Sequence, residues 1–592
     1  MIGESLKIKG VIDKIHFSKE NFIIVKIINS NHESYGEFSF KGYTNSKIKV
    51  GDQILITHGC FNQTKYGTQI EKGSLITINT DSAQSLSDYV SSESMKQNTS
   101  HKGKQIILTS EQESCIAEAS IGNDIKIKAY AGTGKTATLV EISKRLPGRG
   151  LYLAYNKAIQ QEAALKFPPH VVCKTAHSLA YGYLYNEIDG RVQNLSPGKL
   201  LKYIDIKSLN GYSSYELAYM VIKLIRDFSN SASNKIDMSF INTKFVELLN
   251  CSDKKKSEII SYLLERSIEY CELALAFDSK VPIEHDFYLK MFQLSQPNLS
   301  NRFSFILFDE CQDANPVLLE IVSQQKIQKI SVGDEYQQIY GWRGAINSFQ
   351  QLYGKVFYLS NSFRFGNEIA DIASIILRLK GEKSLLSGLK SLSSKQVDVK
   401  PKVYTQLSRT NVNIINKIIE NIRKKIHVVG GISEILDLAK SGFALYVGDN
   451  KNNKNSKTRV FQTWQKLLEF NEKFDDPDLS FLANILDTHG NSFGKILSKI
   501  EKANYVEEKE ATVIFSTIHK SKGREWKNIS ISDDFIILLK EQNIHTLLTE
   551  YSEEFNLLYV AITRTREKLY LEPELSKFLY RLKCYCEAIE KD

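Results

Sequence analysis

The stretch Ile125 to Leu139, IKIKAYAGTGKTATL, limits what this chain can fold into more than any other. Apolar residues alternate at Ile125, Ile127 and Ala129, the period of a strand, until the run breaks at Gly132-Thr133-Gly134-Lys135-Thr136 and a helical pattern begins. Strand, glycine loop and helix in that order describe a phosphate-binding loop in an α/β sheet. The backbone N–H groups of Ala131, Gly132, Thr133 and Gly134 can close around phosphate oxygens, and the helix N-terminus adds a favourable dipole. Lys135 can reach the β- and γ-phosphates as a mobile point charge, and the Thr136 hydroxyl can ligate Mg²⁺. Ala129 stands where the usual pattern has its first glycine. The stretch predicts a site for ATP with Mg²⁺.

At 592 residues the chain has room for about four domains. With 77 basic against 68 acidic side chains, its formal net charge of +9 favours a polyanionic partner only mildly. The eight cysteines are scattered and form no paired CxxC ligand set, which predicts reduced thiols without zinc or disulfides. No run approaches the roughly 18 apolar residues of a membrane span, and MIGESLKIKG lacks an apolar signal core. These features predict a soluble, cytoplasmic protein.

Residues 1–80 alternate in five short apolar runs (VIDKIHF, NFIIVKII, GEFSFKGY, DQILITHG and GSLITIN), with turns expected at Asn31-His32, Gly51-Asp52 and Lys72-Gly73. That pattern suits a small β-barrel of the OB type. Its aromatics (Phe17, Phe22, Tyr35, Phe61, Tyr66) suit base stacking, core packing or partner docking equally. Residues 81–104 are Ser-rich and polar, a linker. From Lys104 onward a nucleotide-driven motor is expected. Gln112 precedes the loop by about twenty residues, where an amide can read donor and acceptor on an adenine edge. LYLAYNKAIQQ gives a buried strand and a helix, carrying Tyr155 and Asn156 between them. VVCKTAHSLAYGYL gives a further strand ending in Lys174, Thr175 and His177, and strand ends of an α/β sheet are where ligands bind. Residues 190–300 read as helical, with Lys254-Lys255-Lys256 as a solvated loop.

FSFILFDECQD ends a run of β-formers in Asp309-Glu310. Carboxylates at the tip of a buried strand are expensive unless they serve a cation. Beside a phosphate loop, Asp309 is the Mg²⁺ partner and Glu310 the group that orients and deprotonates the attacking water. In KISVGDEYQQIYGWRGA, Gln337 is placed to sense a γ-phosphate, while Trp342 and Arg343 pair a stacking plane with a charge, suited to single strands. Arg364 follows the strand KVFYL, and Arg564 lies in a helical pattern, FNLLYVAITRTREKL. Guanidinium groups delivered across a cleft would make hydrolysis depend on cleft closure.

The set AGTGKT, DECQD, VGDEYQQIYGWRGA, NSFRFG, STIHKSKGREW and LLYVAITRTRE resembles, in content and order, the UvrD/Rep-type superfamily 1 DNA helicases over residues 105–575. CKTAHSLAYGYL and LSNSFRFGNEIADIA are most similar to the F-box DNA helicase branch, and FNQTKYGTQI resembles the N-terminal barrel of RecD-type helicases. The resemblance implies an α/β fold with two RecA-like domains around one ATP site, each with a helical insertion. The expected bounds are a barrel at 1–80, a linker at 81–104, a first RecA-like domain at 105–189 and 301–362 interrupted by helices at 190–300, and a second at 363–430 and 509–592 interrupted at 431–508. By the same likeness Gln112 and Phe363 hold adenine, Glu525 the ribose, and Gln337, Arg364 and Arg564 the γ-phosphate. Tyr155, Asn156, Thr175, His177, Trp342, Arg343, His519 and Lys520 are the candidate strand contacts, with Lys522 also on phosphates. Ala137, Arg524 and Thr565 depart from the family pattern without removing a catalytic group.

The function expected is an ATP-dependent helicase or single-strand translocase moving 3′→5′ on single-stranded DNA and at single/double-strand junctions. The alternative is an ATP-gated DNA-binding subunit that strips proteins from DNA or recruits a partner nuclease. RNA remains open as a track, because a stacking platform does not distinguish sugars.

Overall fold

The computed structural model describes residues 8–19, 22–28, 38–44, 53–64, 67–77 and 108–589, apart from 250, 277 and 342–347. The chain divides into two compact units, Met1–Ile107 and Leu108–Asp592. The expected linker, and Tyr35 and Tyr66, lie outside the described residues.

In the first unit β1 (Ile8–Lys19), β2 (Phe22–Ile28), β3 (Phe38–Thr44), β4 (Gln53–Thr64) and β5 (Gly67–Thr77) form a closed barrel in the order β1-β2-β3-β5-β4. All pairs are antiparallel except β3 with β5, and β1 with β4 closes the ring. The turn expected at Lys72-Gly73 is absent, because β5 runs straight through it. Pairing steps from Lys41↔Glu71 to Gly42↔Gly73, so Lys72 is the extra residue of a bulge, a position that glycine neighbours favour.

The second unit holds two six-stranded parallel sheets. The first contains β6 (Ile125–Ala129), β7 (Gly150–Ala154), β8 (Val171–Thr175), β9 (Phe305–Phe308), β10 (Gln328–Gly333) and β11 (Lys355–Leu359), in the order β11-β6-β10-β9-β7-β8. The second contains β12 (Lys395–Gln396), β13 (Tyr404–Ser408), β14 (Ile426–Val428), β15 (Val513–Thr517), β16 (Trp526–Ile531) and β17 (Thr565–Leu571), in the order β12-β17-β16-β13-β15-β14. Every residue of β7, β9 and β13 is buried, as expected where helices cover both faces of a parallel sheet. This α/β arrangement is consistent with two RecA-like lobes. Among the described residues, no helix is long and apolar enough to cross a membrane.

Each lobe carries a helical segment. Between β8 and β9 run helices Ser214–Asn230, Asp253–Leu275 and His285–Leu294; between β14 and β15 run Ser433–Tyr446, Trp464–Phe474, Pro477–His489 and Phe493–Glu501. The helix Ser214–Asn230 starts at a reciprocal cap of Ser213 and Glu216 and buries Leu217, Val221, Leu224 and Phe228 along one stripe. Lys254, Lys255 and Lys256 occupy the first turn of helix Asp253–Leu275 instead of a loop, and Lys254 and Lys255 are exposed there. The two segments meet. Tyr219 donates to Asp476 at 3.3 Å, Lys473 pairs with Glu216 at 2.9 Å, and the Tyr219 ring packs edge-on against Phe470.

Candidate nucleotide site and strand groove

The phosphate loop is built as the residue types require. Gly132 and Gly134 adopt φ of +77° and +82°, and Gly134 caps α1 (Lys135–Ser143), which begins at the lysine. Lys135 Nζ lies 3.3 Å from Glu310 Oε1. Burial pulls the Lys135 ammonium down, but Glu310, Asp334 and Asp309 outweigh it and hold the pKa above its ordinary value. Asp309 follows β9 and accepts a short hydrogen bond from the buried hydroxyl of Tyr152. Its carboxyl is pushed up to about 6 by burial and by the adjacent Glu310. Glu310 stands at φ +49°, a left-handed conformation that costs a non-glycine residue roughly 1–2 kcal/mol. Burial raises the Glu310 carboxyl, but Lys135 and Lys522 prevail and hold it below the usual range.

Four carboxylates (Asp309, Glu310, Asp313, Asp334) thus share one buried region with the ammonium groups of Lys135 and Lys522. That excess of negative charge fits a divalent cation, which Asp309 and Thr136 would hold. Among the described residues no three acidic, His or Cys side chains gather as a complete ligand set. Phosphate oxygens and water would therefore complete the shell, as is usual for Mg²⁺.

The second lobe supplies the arginines. Arg564 is buried, and its Nη2 donates to Gln337 Oε1 at 3.0 Å across the lobe boundary. Burial and the neighbouring Arg364 lower its pKa to about 9. The residue is not helical as expected. α2 (Ser552–Ile562) ends two residues earlier and Thr565 already pairs in β17, so Arg564 sits in the tight turn between them. Gln337 passes the contact on, donating to Asp334 Oδ2 at 2.7 Å. Arg364 donates to Glu525 Oε2 at 2.7 Å and to Thr563 O at 2.9 Å. Glu525, expected on a ribose, is thus in an ion pair with Arg364 and lies 3.5 Å from Arg566.

Gln112 and Phe363 meet beside Gly134, where a Cβ would lie 3.2 Å from the Gln112 amide and 3.5 Å from the Phe363 ring. The Gln112 amide is engaged by protein groups. Its Oε1 accepts from Thr109 N and its Nε2 donates to Thr138 Oγ1, each at 3.0 Å. One amide hydrogen remains for an adenine edge. Phe363 is 44% exposed, a ring face available for stacking. Gly132 packs directly on this connection: a Cβ there would come within 2.5 Å of Ser362 Oγ and 2.8 Å of Arg364 Cβ. Gly132→Ala should therefore part the loop from Arg364 and weaken binding of a nonhydrolysable ATP analogue by about tenfold or more, since 1–3 kcal/mol of strain is the usual cost. Titration calorimetry with wild type and variant checks this.

A groove of about 930 Å³ lies next to the site, with Tyr155, Asn156, Tyr340, His519 and Lys520 among its walls. The Tyr155 and Tyr340 rings stack at 5.4 Å, and the His519 ring is 6.0 Å from Tyr340. A second cavity, about 1110 Å³, reaches from Tyr155 and Glu310 to His177 and the helical segments. His177 is on a helix, not at the strand end, and its Nε2 lies 3.1 Å from Asp286 Oδ1. Thr175 lines neither cavity; its hydroxyl caps the helix Ala176–Ile188 by accepting from Ser178 N. Asn156 caps the helix Lys157–Lys166 in the same way. Lys520 is exposed, as a phosphate contact must be. Lys522 also lines the groove, with its ammonium held in an ion pair with Asp313. Trp342 and Arg343 lie outside the described residues.

Residues 157–356 match the UvrD/REP helicase N-terminal domain, and residues 512–571 match the UvrD-like helicase C-terminal domain. The chain carries UvrD/REP-type N- and C-terminal helicase domains. It is 30% identical over 522 residues to F-box DNA helicase 1 of Gallus gallus and 29% identical over 528 residues to F-box DNA helicase protein 1 of Schizosaccharomyces pombe. These alignments cover 80% and 81% of this chain but only 50% and 58% of the relatives. ATP-dependent DNA helicase PcrA of Staphylococcus epidermidis is 33% identical over 92 residues, 14% of this chain and 13% of that protein.

Several residues of this UvrD/Rep-type site escaped the sequence reading. Tyr559 of α2 is buried, and its hydroxyl accepts from Ala131 N at 3.3 Å and donates to Asp334 Oδ2 at 3.2 Å, touching the phosphate loop from the opposite lobe. Gln312 joins Glu310, Asp313 and Asp334. Arg409, paired with Glu554, reaches the groove wall beyond the end of β13. A polar Ser-Arg-Thr-Asn run straight after a buried strand was the available signal for Arg409. Tyr559 gave none, because a tyrosine within an apolar helix reads as core.

Proposed function

We propose that this chain is an ATP-driven motor that tracks single-stranded DNA in the 3′→5′ direction and opens duplex at single/double-strand junctions. The observation that carries the reading is the inter-lobe contact of Arg564 with Gln337, beside the pair Lys135–Glu310. A nucleotide on Lys135 would have its phosphates held by one lobe and its transition-state charge met by guanidinium groups of the other. Mg²⁺, held by Asp309 and Thr136, would neutralise phosphate charge. Glu310, kept ionised by two lysines, accepts the proton of the attacking water. Closure on ATP and release after hydrolysis would move the lobes against each other, and a strand stacked on Tyr155 and Tyr340 would be displaced with them.

The barrel order β1-β2-β3-β5-β4, with β1 and β4 closing the ring, supports an OB-like module for a nucleic acid or a protein partner such as a nuclease or recombinase. Duplexes with a single 3′ or 5′ tail test the polarity. Strand displacement confined to the 3′-tailed substrate is expected, with hydrolysis stimulated by the single strand. Displacement from the 5′ tail alone would reverse the direction. Hydrolysis indifferent to DNA would remove the motor.

A further inference from the structure

The ammonium of Lys522 sits where the nucleotide site and the groove share a wall. It follows the short helix Ile518–Ser521 at the end of β15, and Gly523 at φ +81° turns the chain away behind it. On one side Lys522 is ion-paired with Asp313 and donates to the carbonyl of Gln337, both from the first lobe. Its side chain keeps 6% of its exposure and that of Asp313 none. On the other side the rings of Tyr340 and Tyr155 cover it, at 5.3 and 5.9 Å from the nitrogen. These are the stacked rings that face the groove, and the Tyr340 hydroxyl is itself bonded to the carbonyl of His519.

From Asp313 the connection runs on to the hydrolytic carboxylate. Gln312 Nε2 donates to Glu310 Oε2 at 2.7 Å and to Asp313 Oδ2 at 3.2 Å, while its Oε1 accepts the N–H of Asp334 at 3.0 Å. The amide has no room to swing towards β10, because even a Cβ on Gly333 would come within 2.2 Å of Gln312 Oε1. A displacement of Asp313 therefore reaches Glu310 through a side chain fixed on three sides. A base arriving on the tyrosine pair competes for the ring faces that now shelter Lys522.

We propose that Lys522 is a positioning residue that couples strand occupancy of the groove to the placement of Glu310, through Asp313 and Gln312. Lys522 belongs to the groove wall, but its ammonium is turned to Asp313 and the carbonyl of Gln337. It rests on the reading of this chain as a strand-stimulated ATP hydrolase, and deepens it by naming the connection. Asp313→Asn should act as Lys522→Met does, and Lys522→Arg, which keeps the charge and a donor towards Asp313, should restore part of the coupling.

The test measures the affinity of full-length protein for oligo(dT) with and without a β,γ-imido ATP analogue, and for the analogue with and without oligo(dT). Linkage requires the two ratios to be equal, and a wild-type factor of about 5–150 is the usual range. In Lys522→Met both ratios should fall together to within about twofold of unity, and strand stimulation of kcat should be lost with little change in KM for ATP. The double variant Lys522→Met/Asp313→Asn should lose no more than either single one. Retention of the wild-type ratios in Lys522→Met would overturn the proposal. If that variant does not fold, the near-isosteric Asp313→Asn decides, and unchanged ratios there overturn it equally. Wild-type hydrolysis that ignores oligo(dT) would instead bring down the functional reading first, and this one with it.

Discussion

Arg564→Ala should lower single-turnover ATP hydrolysis by about 10³–10⁵-fold, the range found for guanidinium groups supplied to phosphoryl transfer. The residue is buried and bonded to Val560 O, Arg524 O, Gln337 Oε1 and Thr563 Oγ1. A second guanidinium, Arg364, presses on it, and burial with that repulsion holds its pKa near 9. Burying one guanidinium beside another is costly, so the arrangement suits a further negative charge arriving with the nucleotide. Truncation also orphans Gln337 Oε1, and a drop in melting temperature should accompany the kinetic loss. Arg564→Lys separates the two effects. It keeps the charge but loses the planar fork, so hydrolysis should recover only in part. Rapid-quench single turnovers with analogue affinity measured alongside would decide the matter, and a variant within tenfold of wild type would refute it.

Glu310→Gln is the second large effect, a fall of about 10²–10⁴-fold in hydrolysis with ATP binding largely kept. The substitution preserves volume while removing the only proton acceptor 3.3 Å from Lys135 among the described residues. A glutamine can still meet Gln312, so the fold should survive. Losing the anion also removes a partner of Lys135, whose raised pKa depends on it and on Asp334 and Asp309. Binding of the analogue should then tighten or stay level, because the ammonium, relieved of its nearest carboxylate, meets phosphate with less competition. A loss of binding parallel to the loss of turnover would show that Glu310 acts on the ground state instead.

Much of this site was legible in the residues. The loop at 131–136 and the pair Asp309-Glu310 could be placed because their chemistry demands a strand end, and strand ends are visible as the close of an apolar run. Arg364 and Arg564 were legible as a logical need, a charge from the other side of a cleft. The turn that presents Arg564 was not, since the helical pattern of FNLLYVAIT runs into it without a break. Side chains whose roles depend on contacts between distant segments were the least readable. Lys522 was expected on phosphates alongside Lys520. Only its partner 209 positions away, Asp313, reveals that its ammonium is also engaged from within. Lys72-Gly73 was misjudged for a related reason: glycine after a charged residue signals both a hairpin end and a bulge, and only the partner strand decides between them.

The joining of the two helical segments by Tyr219, Asp476, Glu216 and Lys473 bears on how a polymer gets in. Both segments line the larger cavity, so a polymer without a free end that comes to lie behind their junction would have to enter between them. Such entry breaks one ion pair, one hydrogen bond and a small aromatic cluster, a modest barrier that salt lowers further. Once shut behind the polymer, the same contacts would resist escape during many cycles, so that a few weak bonds far from the chemistry set how long each journey lasts.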